Sequence, residues 1–108
     1  MRPRLRRTTI IALGLLPVIL ATPTSAHATD GEFSYRVGLT PYTLTDPESG
    51  ECINLTGTTE QRPARAFRNR TISTATVFEN ADCEGAWRSL RPIIGLDLLF
   101  AGRSVVFS

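Results

Sequence analysis

The chain has 108 residues, 20% of them charged and 42% hydrophobic, which is a globular composition too short for two domains. All twelve basic residues are Arg, the single His is His27 and the single Met is Met1. Both fall in a segment expected to be removed, so the remainder excludes Ser-His or Cys-His nucleophilic catalysis, a Schiff-base lysine and a His-ligated metal.

Arg2, Arg4, Arg6 and Arg7 form a positive start, followed by an apolar run from Ile10 to Ala21 and a small-residue stretch ending Ala26-His27-Ala28. This is the layout of a secretory signal peptide over residues 1–28. An apolar run this short, at about 1.5 Å per residue, does not span a ~30 Å membrane core. Arg6-Arg7 also fits a twin-arginine signal, although an ordinary secretory n-region accounts for it. The expected product is a secreted, extracellular protein with one domain over residues 29–108 and no membrane span after cleavage. Eight Arg and all ten acids remain in it, a net charge of −2, so the basic balance of the whole chain belongs to the leader. No concentrated basic face for nucleic acid is expected.

Glu32 to Leu39 alternates, with Phe33, Tyr35, Val37 and Leu39 on one face and Glu32, Ser34, Arg36 and Gly38 on the other, which predicts a half-buried strand interrupted at Thr40-Pro41. Asp46 to Gly50 reads as a turn, Cys52 to Leu55 as a short strand and Gly57 to Pro63 as a polar loop. Further strands are expected at Arg65–Arg68, Ile72–Glu79, Ala86–Leu90 and Ser104–Phe107, with turns at Asn80–Asp82, Pro92–Gly95 and Ala101-Gly102. Trp87 is not expected to point wholly into water. Leu96 to Phe100 is apolar and is the one place where a helical turn fits. Short strands at this spacing predict a small all-β antiparallel sandwich or barrel.

Cys52 and Cys83 are the only cysteines. In an exported domain of this size an even count predicts a disulfide between them, worth roughly 3–4 kcal/mol in the chain-entropy account. Arg62, Arg65, Arg68 and Arg70 form the densest basic stretch, readable as an anion-binding surface or as the charged edge of a sheet. The polar loop before Arg65, with Arg62 and Arg65 as anchors, is the expected partner-binding loop, because Arg is favoured at contact hot spots. Glu48, Glu51, Glu79, Asp82 and Glu84 supply carboxylates, but no pair is marked out as acid and base. Asn54-Leu55-Thr56 and Asn69-Arg70-Thr71 fit the glycosylation sequon, but Arg-only usage points to a GC-rich bacterial genome, where that reading is discounted.

Phe78-Glu79-Asn80-Ala81-Asp82-Cys83-Glu84-Gly85 resembles the opening of a βγ-crystallin Greek key: an aromatic, four residues, an aromatic, one residue, then Gly. Cys83 stands at the second aromatic place. Arg103-Ser104-Val105-Val106-Phe107 is similar to the closing strand of that motif. The order Cys52-Ile53-Asn54-Leu55, Asn69-Arg70-Thr71, Cys83-Glu84-Gly85, Ser104-Val105-Val106-Phe107 also resembles a group of small secreted bacterial proteins. That group includes crystallin-fold metalloproteinase inhibitor-like and killer-toxin-like members. Residues 29–50 hold no equivalent aromatic spacing. The resemblance implies a Greek-key sandwich with one disulfide. It also implies a calcium-like loop in which Asn69, Ser73 and Thr74 match or nearly match ligand positions. Arg70 occupies another such position, and a cation opposes calcium there. Phe100 and Ala101 offer no side-chain oxygen at the corresponding later place. The loop is therefore read as degenerate, with no cofactor expected and calcium disfavoured. The implied function is a non-catalytic binding or inhibitory module acting on a secreted protein such as a protease. The alternative is a structural or surface-associated secreted protein without enzymatic activity.

Overall fold

The computed structural model describes residues 28–108, so the expected leader lies outside the described residues except for Ala28. Strand β1 (Gly31–Val37) buries Phe33, Tyr35 and Val37 and turns Glu32 and Arg36 outward, as its period of two predicts. Leu39 departs from that expectation and is 92% exposed. Val37 pairs with Thr40, leaving Gly38-Leu39 as a two-residue turn, and Gly38 has a φ of 62°. Glycine at the first turn position suits a tight hairpin, and the reversal throws Leu39 to the tip. Thr40-Pro41 does not interrupt the sheet but opens β2 (Thr40–Thr45). Pro41 is accommodated because β2 is an edge strand, where a missing N–H costs no ladder bond.

After β3 (Ile53–Asn54), β4 runs over Arg65–Thr71, three residues longer than expected. Phe67, Asn69 and Thr71 point into the core, while Arg68 and Arg70 point out. The pairing of β4 with β1 slips between Ser34↔Arg68 and Arg36↔Arg65, a bulge that contains Ala66 at a φ of 57°. One extra residue reverses the facing of everything before it, and so Arg65 is exposed despite its parity with Phe67. β5 (Ala75–Phe78) is shorter than expected, and Ile72 sits exposed in the turn before it. β6 (Trp87–Leu90), β7 (Gly95–Asp97) and β8 (Ser104–Phe107) complete the set; Leu96 to Phe100 contains a strand end and a loop, not a helical turn. Trp87 is more exposed than buried.

The strands form two four-stranded antiparallel sheets, β2-β1-β4-β7 and β3-β8-β5-β6. Each half of the chain keeps three strands in one sheet and sends its third strand, β3 or β7, to the edge of the other. The second sheet therefore repeats the plan of the first. Neither half closes its own sheet without the other. The aromatic core joins the layers: Phe33 of the first sheet meets Phe107 of the second edge-on at 5.3 Å between centroids and stacks on Phe67 at 5.9 Å. Val77, Val105, Leu55 and Leu90 fill around them.

The disulfide links Cys52, ahead of β3, to Cys83 in a short 3-10 turn, Ala81–Cys83. It ties the exchanged strand of the first half to the β5–β6 connection of the second.

Candidate binding surface

The fold scatters the arginine run. Arg62 stays in the loop before β4, its guanidinium over the β1–β2 turn, where a Cβ on Gly38 would come within 2.7 Å of it. Arg65 Nη1 donates to the Leu99 carbonyl at 2.8 Å. Arg65 thus braces the loop at Leu99, while Arg62 lies against a different turn. Arg68 and Arg70 project from the outer face of β4, beside Arg36 on β1. Across the ladder, Arg68 faces Ser34 and Arg70 faces Glu32. The one ion pair among the described residues is elsewhere, Arg88 to Asp97 at 3.8 Å.

Beside these arginines lies a run of exposed aliphatic side chains. Ile93, Ile94, Leu96, Leu98 and Leu99 are each more than half exposed. β7 is only three residues long, and Leu96 lies opposite Arg68 on the outer face. The segment after it is held firmly. Asp97 Oδ1 accepts from the Leu99 and Phe100 backbone N–H groups at 3.1 and 3.0 Å. Arg88 reaches Asp97 and lies 5.0 Å from the Phe100 ring centroid. A backbone fixed in this way keeps Leu98 and Leu99 turned outward. Two cavities run along the surface. One of about 430 Å³ lies between β2 and Leu96-Leu98, and one of about 280 Å³ lies between Arg70 and Ile93-Ile94; Arg68 and Leu96 border both. Neither cavity is lined by a carboxylate.

Comparison of the chain with protein-family models, curated proteins and solved structures finds no match.

The calcium-like residues do other work. Asn69 is fully buried, and its Nδ2 donates to the carbonyls of Ser73, Leu90 and Arg91 at 2.8, 3.1 and 2.9 Å. Its Oδ1 accepts from the Thr71 N–H and hydroxyl at 3.1 and 2.7 Å. The carboxamide is a pin for the β4–β5 turn. Ser73 Oγ lies 2.9 Å from Thr29 Oγ1, and Thr74 exchanges backbone hydrogen bonds with Ser108. Among the described residues no group of three or more His, Cys, Asp or Glu side chains gathers.

A third cavity, of about 480 Å³, brings Glu79 and Asp97 together with Arg65 and Arg88. Glu79 Oε1 accepts from the Ala86 N–H at 3.4 Å, and Asp97 already serves the turn described above. Asp82 is engaged with Asn54. Tyr35 is a buried titratable group. Burial pushes its hydroxyl above the usual value of 10.0, against the opposing effect of its hydrogen bond to the Thr56 carbonyl at 3.0 Å.

The residues Ile93 to Leu99 are visible in the sequence as an apolar run, but such a run is equally compatible with a buried strand. Nothing in the sequence marks Asn69 as the hub of the turn. A sequon and a calcium-like spacing coincide there, and neither describes its five hydrogen bonds.

Proposed function

We propose that the chain is an exported, non-catalytic module that binds another secreted protein, with a protease as the leading class of target. The observation that carries this reading is the exposed aliphatic run Ile93–Leu99, held on a braced backbone next to three outward arginines. A soluble domain gains nothing in stability from holding these groups in water, whereas a partner that covers them gains affinity. The contact surface is the outer face of the first sheet, with Arg65 supporting it from behind through Leu99 rather than acting as an anchor.

A crystallin-like, two-motif Greek-key architecture belongs to the same proposal. Its support is the reciprocal exchange of β3 and β7 between sheets, together with the Phe78-to-Gly85 spacing at the β5–β6 connection. The missing spacing in the first half has a physical counterpart: β1 and β2 are joined by two residues, while β5 and β6 are joined by the longer turn that contains the 3-10 segment.

The test is a panel of secreted proteases assayed with the exported protein, together with cross-linking and recovery of partners from culture medium. Inhibition, or recovery of one partner in stoichiometric amount, supports the reading. If neither occurs, the structural or surface-associated alternative replaces it.

A further inference from the structure

We propose that the groove on the outer face of the first sheet takes an extended acidic and aliphatic segment of the partner protein. In this arrangement carboxylates meet Arg36, Arg68 and Arg70, and apolar side chains cover Leu96, Leu98 and Ile94. The inference rests on reading the chain as a protein-binding module and specifies the chemistry of its partner.

Charge is the first argument. Residues 29–108 carry a net charge of −2, yet this face carries three arginines and one acid, Glu32, with β2 contributing no charged residue. None of the three arginines has a carboxylate within 4.0 Å among the described residues. An anionic partner is the complement that steers to such a face and pairs with it.

Spacing is the second. Arg68 and Arg70 are two residues apart on one strand, about 6.8 Å along it. Arg36 lies on the neighbouring strand two residues beyond Ser34, the residue opposite Arg68, across the bulge. Arg68 and Arg70 therefore have the period of alternate side chains in an extended chain, and Arg36 continues past them on the neighbouring strand; Arg36 and Arg68 line one cavity, Arg68 and Arg70 the other.

The aliphatic bank decides the class of polymer. A polyphosphate or an acidic glycan satisfies the arginines but leaves Leu96, Leu98 and Ile94 at 52%, 57% and 69% exposure without an apolar partner. A bilayer supplies both charge and apolar surface, but it is flat, and Arg36 and Arg68 line a groove with β2 on one side and Leu96 and Leu98 on the other. A peptide supplies both kinds of side chain in a shape that enters the groove. The braced backbone around Asp97 loses little entropy when it is covered.

The experiment uses the full exported protein and a labelled peptide of about ten residues alternating Glu and Leu, followed by fluorescence anisotropy. The controls are the same peptide with Gln for Glu, polyglutamate, and phosphatidylglycerol vesicles. The Glu-Leu peptide is expected to bind and to weaken with added salt. It should bind about tenfold more tightly than the Gln-Leu peptide or polyglutamate. Arg68→Ser with Arg70→Ser, and separately Leu96→Ser, should weaken it about tenfold at unchanged melting temperature. Arg68→Gln alone is the milder variant if the pair disturbs folding. Equal binding of the Gln-Leu peptide, binding to vesicles but not to peptide, or unaltered binding by the arginine variants overturns the proposal. A partner protein that is captured normally by the arginine variants overturns the groove but leaves the binding-module reading standing. Failure of both capture and peptide binding overturns both.

Discussion

Asn54 and Asp82 hold each other across the two halves of the chain. The Asp82 N–H donates to Asn54 Oδ1 at 2.8 Å, and Asn54 Nδ2 donates to Asp82 Oδ1 at 3.1 Å. The Cys52–Cys83 bond lies beside this pair, and the Cys83 N–H donates to the buried Ser104 hydroxyl at 2.8 Å. Asp82 and Cys83 both adopt left-handed backbone conformations, with φ of 62° and 58°. Non-glycine residues there cost roughly 1–2 kcal/mol each, so this turn depends on its ties to β3 and β8.

Removing those ties is expected to be costly. Replacing both cysteines by Ser should lower stability by about 2–4 kcal/mol in a urea melt, and Asn54→Ala by about 1–2 kcal/mol. Because both act on the same turn, the combined variant should deviate from additivity. Strict additivity would show that the hydrogen bonds and the disulfide stabilise the turn independently.

Asn69→Ala should cost about 2–4 kcal/mol, since it removes the bonds to the Leu90 and Arg91 carbonyls and the acceptor of the buried Thr71 N–H. Calcium at millimolar concentration should leave the melting temperature of the wild-type protein unchanged. Asn69 Oδ1 is committed to Thr71, and Arg70 stands on the outer face. A calcium-dependent rise in melting temperature would restore Asn69, Ser73 and Thr74 as ligands.

Tyr35 makes stability fall in alkali. In the unfolded chain a phenol ionises near pH 10. Burial raises the folded value above that, so the folded state keeps its proton longer. The stabilisation is complete below about pH 10 and is lost as pH rises through the folded value. The chain has no Lys, and Tyr42, stacked on Tyr35 at 5.3 Å, is the only other tyrosine, so the titration is simple to read. Tyr35→Phe should cost about 1 kcal/mol at neutral pH and flatten the alkaline loss, followed by denaturant midpoints between pH 8 and 11. An unchanged alkaline slope would assign the loss to another group.

Cleavage after Ala28 is expected to leave Thr29 as the first residue of the exported protein. Thr29 is buried, and its nitrogen already donates to the Pro47 carbonyl at 2.7 Å, a bond that an N-terminal ammonium retains. Intact mass and N-terminal sequencing of protein from the medium check this. A start at Met1 in the membrane fraction would contradict it.

The alternation of Phe33, Tyr35 and Val37, the closing strand Ser104–Phe107 and the cysteine pair were legible in the sequence, because each is a local pattern. Period-two burial is written into neighbouring residues, and two cysteines allow one bridge. The hairpin at Gly38-Leu39 was less legible: the alternation continued through Leu39, and only the reversal of the chain exposed it. The bulge at Ala66 carries no composition signal, yet it decides which way Arg65 faces.

The sequence by itself therefore determined an all-β chain with one staple, since strand period and cysteine count need no knowledge of distant neighbours. Only the tertiary structure decided that β3 and β7 change sheets, that Asn69 is a structural pin, and that Arg36 and Arg68 share a groove with Leu96 and Leu98. The physical reason is that these facts depend on pairings between residues far apart in the chain. An apolar run such as Ile93–Leu99 is core or contact surface according to which strand lies beside it, and a three-residue edge strand left it facing solvent.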